Sequence, residues 1–151
     1  MIHYRDAKPA DAPAIVDFQI AMAQETEDFA LDRATCTRGV DAVFRDRTLG
    51  RYFVGEEEGK VVASLMITPE WSDWRNGVVW WIQSVYVVPE FRRRGIYAGM
   101  YDHVQRIAHG DANVKGILNL SPATVRTPGN VKLRNLFFTS ALDNLVYYLT
   151  N

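Results

Sequence analysis

The chain has 151 residues, 48% of them apolar and 23% charged, which fits one globular domain and excludes a disordered chain. With 17 basic against 18 acidic residues the formal net charge is −1, which disfavours a general nucleic-acid binder. A single cysteine, Cys36, excludes an intrachain disulfide and a Cys-rich zinc site.

Met1 to Asp6 is charged at once and does not read as a signal peptide. No apolar stretch approaches the ~20 residues that span a bilayer, so a cytoplasmic protein without membrane association is expected. Residues 2–5 predict a short strand. Pro9-Ala10-Asp11-Ala12-Pro13 predicts a helix start, followed by Ile15, Phe18 and Met22 at helical spacing and ended by the polar run 24–28. Val40, Val43 and Phe44 suggest a second helix closed by Leu49-Gly50. Residues 52–54 and 61–67 read as a hairpin about the turn 57–60, and 71–77 as a polar, aromatic loop. The long β-branched and aromatic run 78–88 predicts a central strand stopped by Pro89. A helix over 95–108, a strand over 116–120, a helix over 130–141 and a strand over 145–149 complete the order. One domain is expected, an α/β mixture of the α+β kind on a mostly antiparallel sheet, with one crossover helix after the long strand.

Chemistry concentrates in Val85-Tyr86-Val87-Val88-Pro89-Glu90-Phe91-Arg92-Arg93-Arg94-Gly95-Ile96-Tyr97-Ala98. A buried strand leads through a basic loop with a glycine into an amphipathic helix. Helix N-termini offer unpaired N–H groups and positive dipole, and glycine lets an anion approach the backbone. Arg92, Arg93 and Arg94 add charge suited to phosphates, although such a run in isolation is most often solvated surface.

This segment resembles motif A of the GNAT N-acetyltransferases, Arg/Gln-x-x-Gly-x-Gly/Ala after a strand ending in apolar-x-Val-x-Pro. The departure is Tyr97, where the family usually carries Gly or Ala. The resemblance implies a mixed, mostly antiparallel central sheet with helices on both faces. It also implies acetyl-CoA as acetyl donor. The pyrophosphate is expected on the amides of Arg93, Arg94, Gly95, Ile96, Tyr97 and Ala98 with Arg92 nearby, and the pantetheine arm beside the backbone of Val85 and Val87. The family's second landmark, an Asn at the next helix start, falls on Asn130. The Tyr usually seven residues later is Phe137, which has no hydroxyl to protonate a leaving thiolate.

An amine acceptor arrives as a cation and must lose a proton before attack. Acidic and aromatic residues in 24–28 and 70–75 suit it by charge and cation–π contact. Glu70 is the favoured base, Glu25 and Glu27 orienting groups, and Trp71 and Trp74 ring surface for the acceptor. Gln83 takes no proton but can orient a water. Trp80 and Trp81 face opposite sides of their strand, one to the core and one to the cleft. The histidines His3, His103 and His109 lack metal-ligand spacing, so no metal is expected. An N-acetyltransferase acting on a small-molecule amine is the first reading. A catalytically weak acyl-CoA-binding protein is the second, and a nucleic-acid-binding domain using the three arginines the third. Residues 145–149 are apolar enough for a homodimer strand or for packing within the monomer.

Overall fold

The computed structural model describes residues 1–119. In chain order they form β1 (His3–Asp6), a 3-10 turn (Pro9–Asp11), α1 (Ala12–Glu27), α2 (Arg33–Arg45), β2 (Arg51–Glu57), β3 (Lys60–Ser72) and β4 (Gly77–Val87). A second 3-10 turn (Pro89–Phe91), α3 (Ile96–His109) and β5 (Val114–Asn119) follow. The described strands make one sheet in the order β1-β2-β3-β4-β5. The first three pairings are antiparallel and β4 pairs with β5 in parallel. The parallel pair needs a crossover, which α3 supplies. This is the mixed, mostly antiparallel sheet expected. The helix and strand expected over 130–141 and 145–149 lie outside the described residues.

Period-2 alternation splits the hydrophobic residues into two cores, one on each sheet face. On β2, Phe53 joins Leu65, Ile67, Trp80, Ile82, Ile96, Met100 and Val104 beneath α3. Its neighbours Tyr52 and Val54 turn the other way, to Ile15, Val16 and Val40 of α1 and α2. Helices therefore cover both faces. On the α3 side, Gly99 is required by close approach: a methyl there would run into the Tyr4 ring of β1.

Several elements run further than expected. α1 continues through the polar run to Glu27 and ends where Asp28 adopts φ +50° and donates its N–H to Ala23. An exposed last turn needs no apolar residues once the buried stripe has anchored the helix. α2 starts at Arg33, capped by the Asp32 carboxylate on the Thr35 N–H at 2.9 Å. The expected loop 71–77 is instead a hairpin end. Glu70, Trp71 and Ser72 pair with Val79, Val78 and Gly77, leaving only 73–76 as the turn. Among the described residues no helix is long and apolar enough to cross a membrane.

Candidate functional site

Two backbone irregularities lie close together in sequence and build the site. The first is in β4. Met66 pairs with Gln83 and Ser64 with Tyr86, so Ser84 and Val85 together oppose Leu65 alone. Ser84 takes the extra residue at φ +53°. Such a bulge bends the strand and re-aims its groups. Pairing of β4 with β5 covers Val78 to Ile82, just short of this point. Beyond the bulge Val85 and Val87 pack on the α3-side core, while Tyr86 turns to the α1 side and stacks on Phe18 with ring centroids 5.2 Å apart. The Val88 N–H donates to Val62 of β3, so by alternation the N–H and C=O of Val87 face the opposite edge.

The second irregularity is the entry to α3. Arg93 has φ +63° and Gly95 φ +73°, and no side chain caps the helix. Left-handed residues in such a loop turn successive N–H groups toward one point, an anion-binding nest at the positive end of the helix dipole. Among the described residues, a Cβ built on Gly95 would meet no atom within 4 Å, so they leave the approach to these amides open. Ile96 is buried in the core and Ala98 is exposed. The Tyr97 ring, the departure from the family pattern, lies against Tyr101 one turn on, with centroids 6.5 Å apart. The donor set fits a phosphate or pyrophosphate group.

The three arginines do not act as one cationic patch. Arg92 donates through Nη2 to Glu25 Oε2 at 2.7 Å and through Nε to the Val87 carbonyl at 2.8 Å. Arg94 donates to Glu57 Oε1 at 2.8 Å and lies over the Phe91 ring. Arg93 is exposed and has no ion pair among the described residues.

On the α1 side of the sheet a polar row follows the same bulge. The Tyr86 hydroxyl donates to Glu25 Oε1 at 2.9 Å. The Gln83 amide donates to Thr68 Oγ1 at 2.9 Å, and the Trp81 indole N–H donates to Glu70. The Arg92 guanidinium, helped by the Tyr86 hydroxyl, holds the Glu25 carboxyl below the usual carboxylate range. Burial pushes the Tyr86 phenol up, and its bond to Glu25 adds to that. Trp80 is core and Trp81 is the cleft-side indole.

The candidates thus divide. Gln83 stands just before the bulge and bonds Thr68, whereas Glu25 bonds Tyr86 and Arg92 from beyond it. Glu70 is opposite Val79, five residues from Ser84 and so about 17 Å along the strand at ~3.3 Å per residue. The expected base, Glu70, thus stands well along the strand from the bulge, and a base works within one hydrogen bond or one water of its proton. Trp71, adjacent to Glu70 on its strand, points to the opposite face, and Trp74 occupies the turn; they are 62% and 90% exposed. Glu27, two residues after Glu25, points away from it around the helix. Asn130 lies outside the described residues. Sequence reasoning missed Tyr86 and Thr68. Alternation along 85–87 marked Tyr86 as facing the other way from both valines, the one signal that could have found it.

The sequence model of the Acetyltransferase (GNAT) family matches residues 16–137. A possible acetyltransferase from Clostridium difficile 630 is 36% identical, with a TM-score of 0.76 over 100% of this chain and 93% of that one. A predicted acetyltransferase from Clostridium acetobutylicum, solved with acetyl-CoA, is 20% identical, with a TM-score of 0.65 over 88% and 96%, a likeness of fold. A local match to the redox-sensing transcriptional repressor Rex of Leuconostoc citreum is 44% identical over 41 residues. It takes in 27% of this chain, which spans only 19% of that relative. The family match, the 36% identical structure, the mixed sheet and the bulged β4 leading into an open helix N-terminus agree: this chain belongs to the GNAT acetyltransferase family.

Proposed function

We propose that this chain moves an acetyl group from acetyl-CoA to a primary amine by direct attack, with a small molecule as acceptor, in the cytoplasm. The observation that carries the reading is the placement of the β4 bulge within one short segment of the uncapped, open N-terminus of α3. The amides from Arg93 to Ala98 would take the pyrophosphate, with Asn130 and the backbone of Val85 and Val87 along the pantetheine arm. A backbone N–H freed by the bulge would face the thioester oxygen, where charge develops during attack. Holding the two reactants together lowers the barrier further.

The acceptor would lie along the polar row on the α1 side. Glu25, bonded to Tyr86 beyond the bulge, would receive the ammonium proton directly, and Gln83, just before the bulge, would orient a water. Glu70 would draw the cation toward the cleft from its outer end, with Trp71, Trp74 and Glu27 at the rim. The amine nitrogen bonds to the carbonyl carbon as the C–S bond breaks, and the thiolate, a tolerable leaving group with a thiol pKa near ~8.5, takes up through water the second proton that the nitrogen sheds.

Calorimetric titration with CoA and acetyl-CoA, followed by thiol release with a panel of primary amines, tests this reading. Saturable binding and amine-dependent release are expected. A folded protein that binds neither nucleotide would overturn it. Phe137, where the family resemblance implies a Tyr, favours a second reading, an acyl-CoA-binding protein that turns over poorly. Under that reading Phe137→Tyr strongly raises a weak activity. Under the first it changes little.

A further inference from the structure

Arg92 ties together the two halves of the site. Its Nε occupies the Val87 carbonyl on the β4 edge that faces away from β3. Its Nη2 occupies one oxygen of Glu25, and the Tyr86 hydroxyl occupies the other. The guanidinium carbon lies 5.3 Å from the Tyr86 ring centre. Residues 61 and 67 positions away from Glu25 thus hold both of its oxygens.

Two consequences follow from elementary chemistry. An extended ligand arm that adds to the β4 edge does so through backbone carbonyls and N–H groups, and the Val87 carbonyl is one of these. A carboxylate already compensated by a guanidinium is a weak anchor for a second cation and a weak proton acceptor. The Arg92–Glu25 pair is about 40% exposed on each side, and ion pairs this exposed hold weakly enough to be exchanged. Among the described residues the titratable or charged groups facing Glu25 from β4 and its following loop are Tyr86 and Arg92. Along α1 itself, Asp28 one turn on is engaged by Gln24.

We infer that Arg92 is a positioning residue that couples the two substrates: occupation of the Val87 carbonyl by an acyl-CoA arm releases Arg92 from Glu25 and uncovers that carboxylate for the amine. The inference rests on the proposed acetyl-CoA reading. It turns a static clamp into an order of events, in which the acceptor site becomes fully charged only once the donor is bound. Because coupling is reciprocal, amine binding favours donor binding by the same factor, about tenfold if it is of ordinary size.

The test is a carbon-13 NMR titration of the glutamate carboxyls, with Glu25 assigned by its absence in Glu25→Gln. It is run on the free protein and on the protein saturated with CoA, so that no turnover intervenes. A Glu25 midpoint that rises on CoA binding, together with a shift of the Arg92 Nε signal, supports the coupling. In Arg92→Ala the midpoint is expected to be high already and to respond no further to CoA. CoA binding with an unmoved Glu25 midpoint and Arg92 signal overturns the coupling and leaves the cofactor reading intact. Failure of CoA to bind at all overturns the cofactor reading, and the coupling with it.

Discussion

The loop entering α3 and the hairpin joining β3 to β4 are both polar and both flank β4, yet they are built on opposite plans. In the loop the backbone makes the feature. Two left-handed residues lead into a helix end that no side chain caps, the geometry proposed to hold an anion, while two of three arginines are held by Glu25 and Glu57. In the hairpin the left-handed Asn76, φ +47°, only closes the turn, and the side chains make the feature. Glu70 accepts an indole N–H and has no ion pair among the described residues, and Trp71 and Trp74 stand exposed beyond it. A backbone site recognises a group common to many ligands. A side-chain site can be re-specified one residue at a time. That is the division the proposed donor and acceptor sites would require.

Four variants break or sharpen this contrast. Gly95→Asp has the largest expected effect. It puts a carboxylate at the nest mouth in a left-handed position that Asp tolerates. Loss of two charge-assisted bonds of about 1.5–3 kcal/mol each would weaken CoA binding by at least ~100-fold by calorimetry. The circular dichroism melt should move only a few degrees. Glu25→Gln comes next. Amine-dependent kcat/KM is expected to fall about 100-fold, the low end for loss of an acid–base group, while CoA affinity holds or rises slightly.

The same variant carries a pH test of stability. The Glu25 carboxyl is held below its ordinary range in the folded state by Arg92 and then Tyr86. Its contacts therefore stabilise the fold above that range, and the contribution is lost as pH falls through the folded value. The melting-temperature gap between wild type and Glu25→Gln should be widest near neutrality and close on acidification. A gap that widens in acid would contradict the pairing.

Glu70→Gln is expected to raise the amine KM by about threefold, the scale of a screened surface charge, and to leave CoA binding unchanged. Trp74→Ala has the smallest effect, within about 0.5 kcal/mol of wild-type stability, because the side chain is almost wholly exposed. An equal loss of CoA affinity in the Glu70 and Gly95 variants would erase the distinction between the two regions.

The same contrast explains what was legible in the sequence. The strand, Pro89, the arginines and Gly95 are contiguous, so local rules of strand, breaker and helix start suffice for the order of β4, turn and α3. The Glu25–Tyr86 and Glu25–Arg92 bonds join positions 61 and 67 residues apart, and no local rule brings them together. The separation of Glu70 from the bulge depends on β3–β4 register, which a loop expected over 71–77 does not reveal. α2 was read from Val40 because that is its one fully buried residue; its true start is a single Asp32 cap ahead of an exposed turn.

The most direct test of the central claim is an amide NMR titration of the wild-type protein with CoA. The account predicts saturable shifts concentrated on the N–H groups of Arg93 to Ala98, with smaller ones at Val85 and Val87. Saturable binding that leaves those amides unmoved would contradict it.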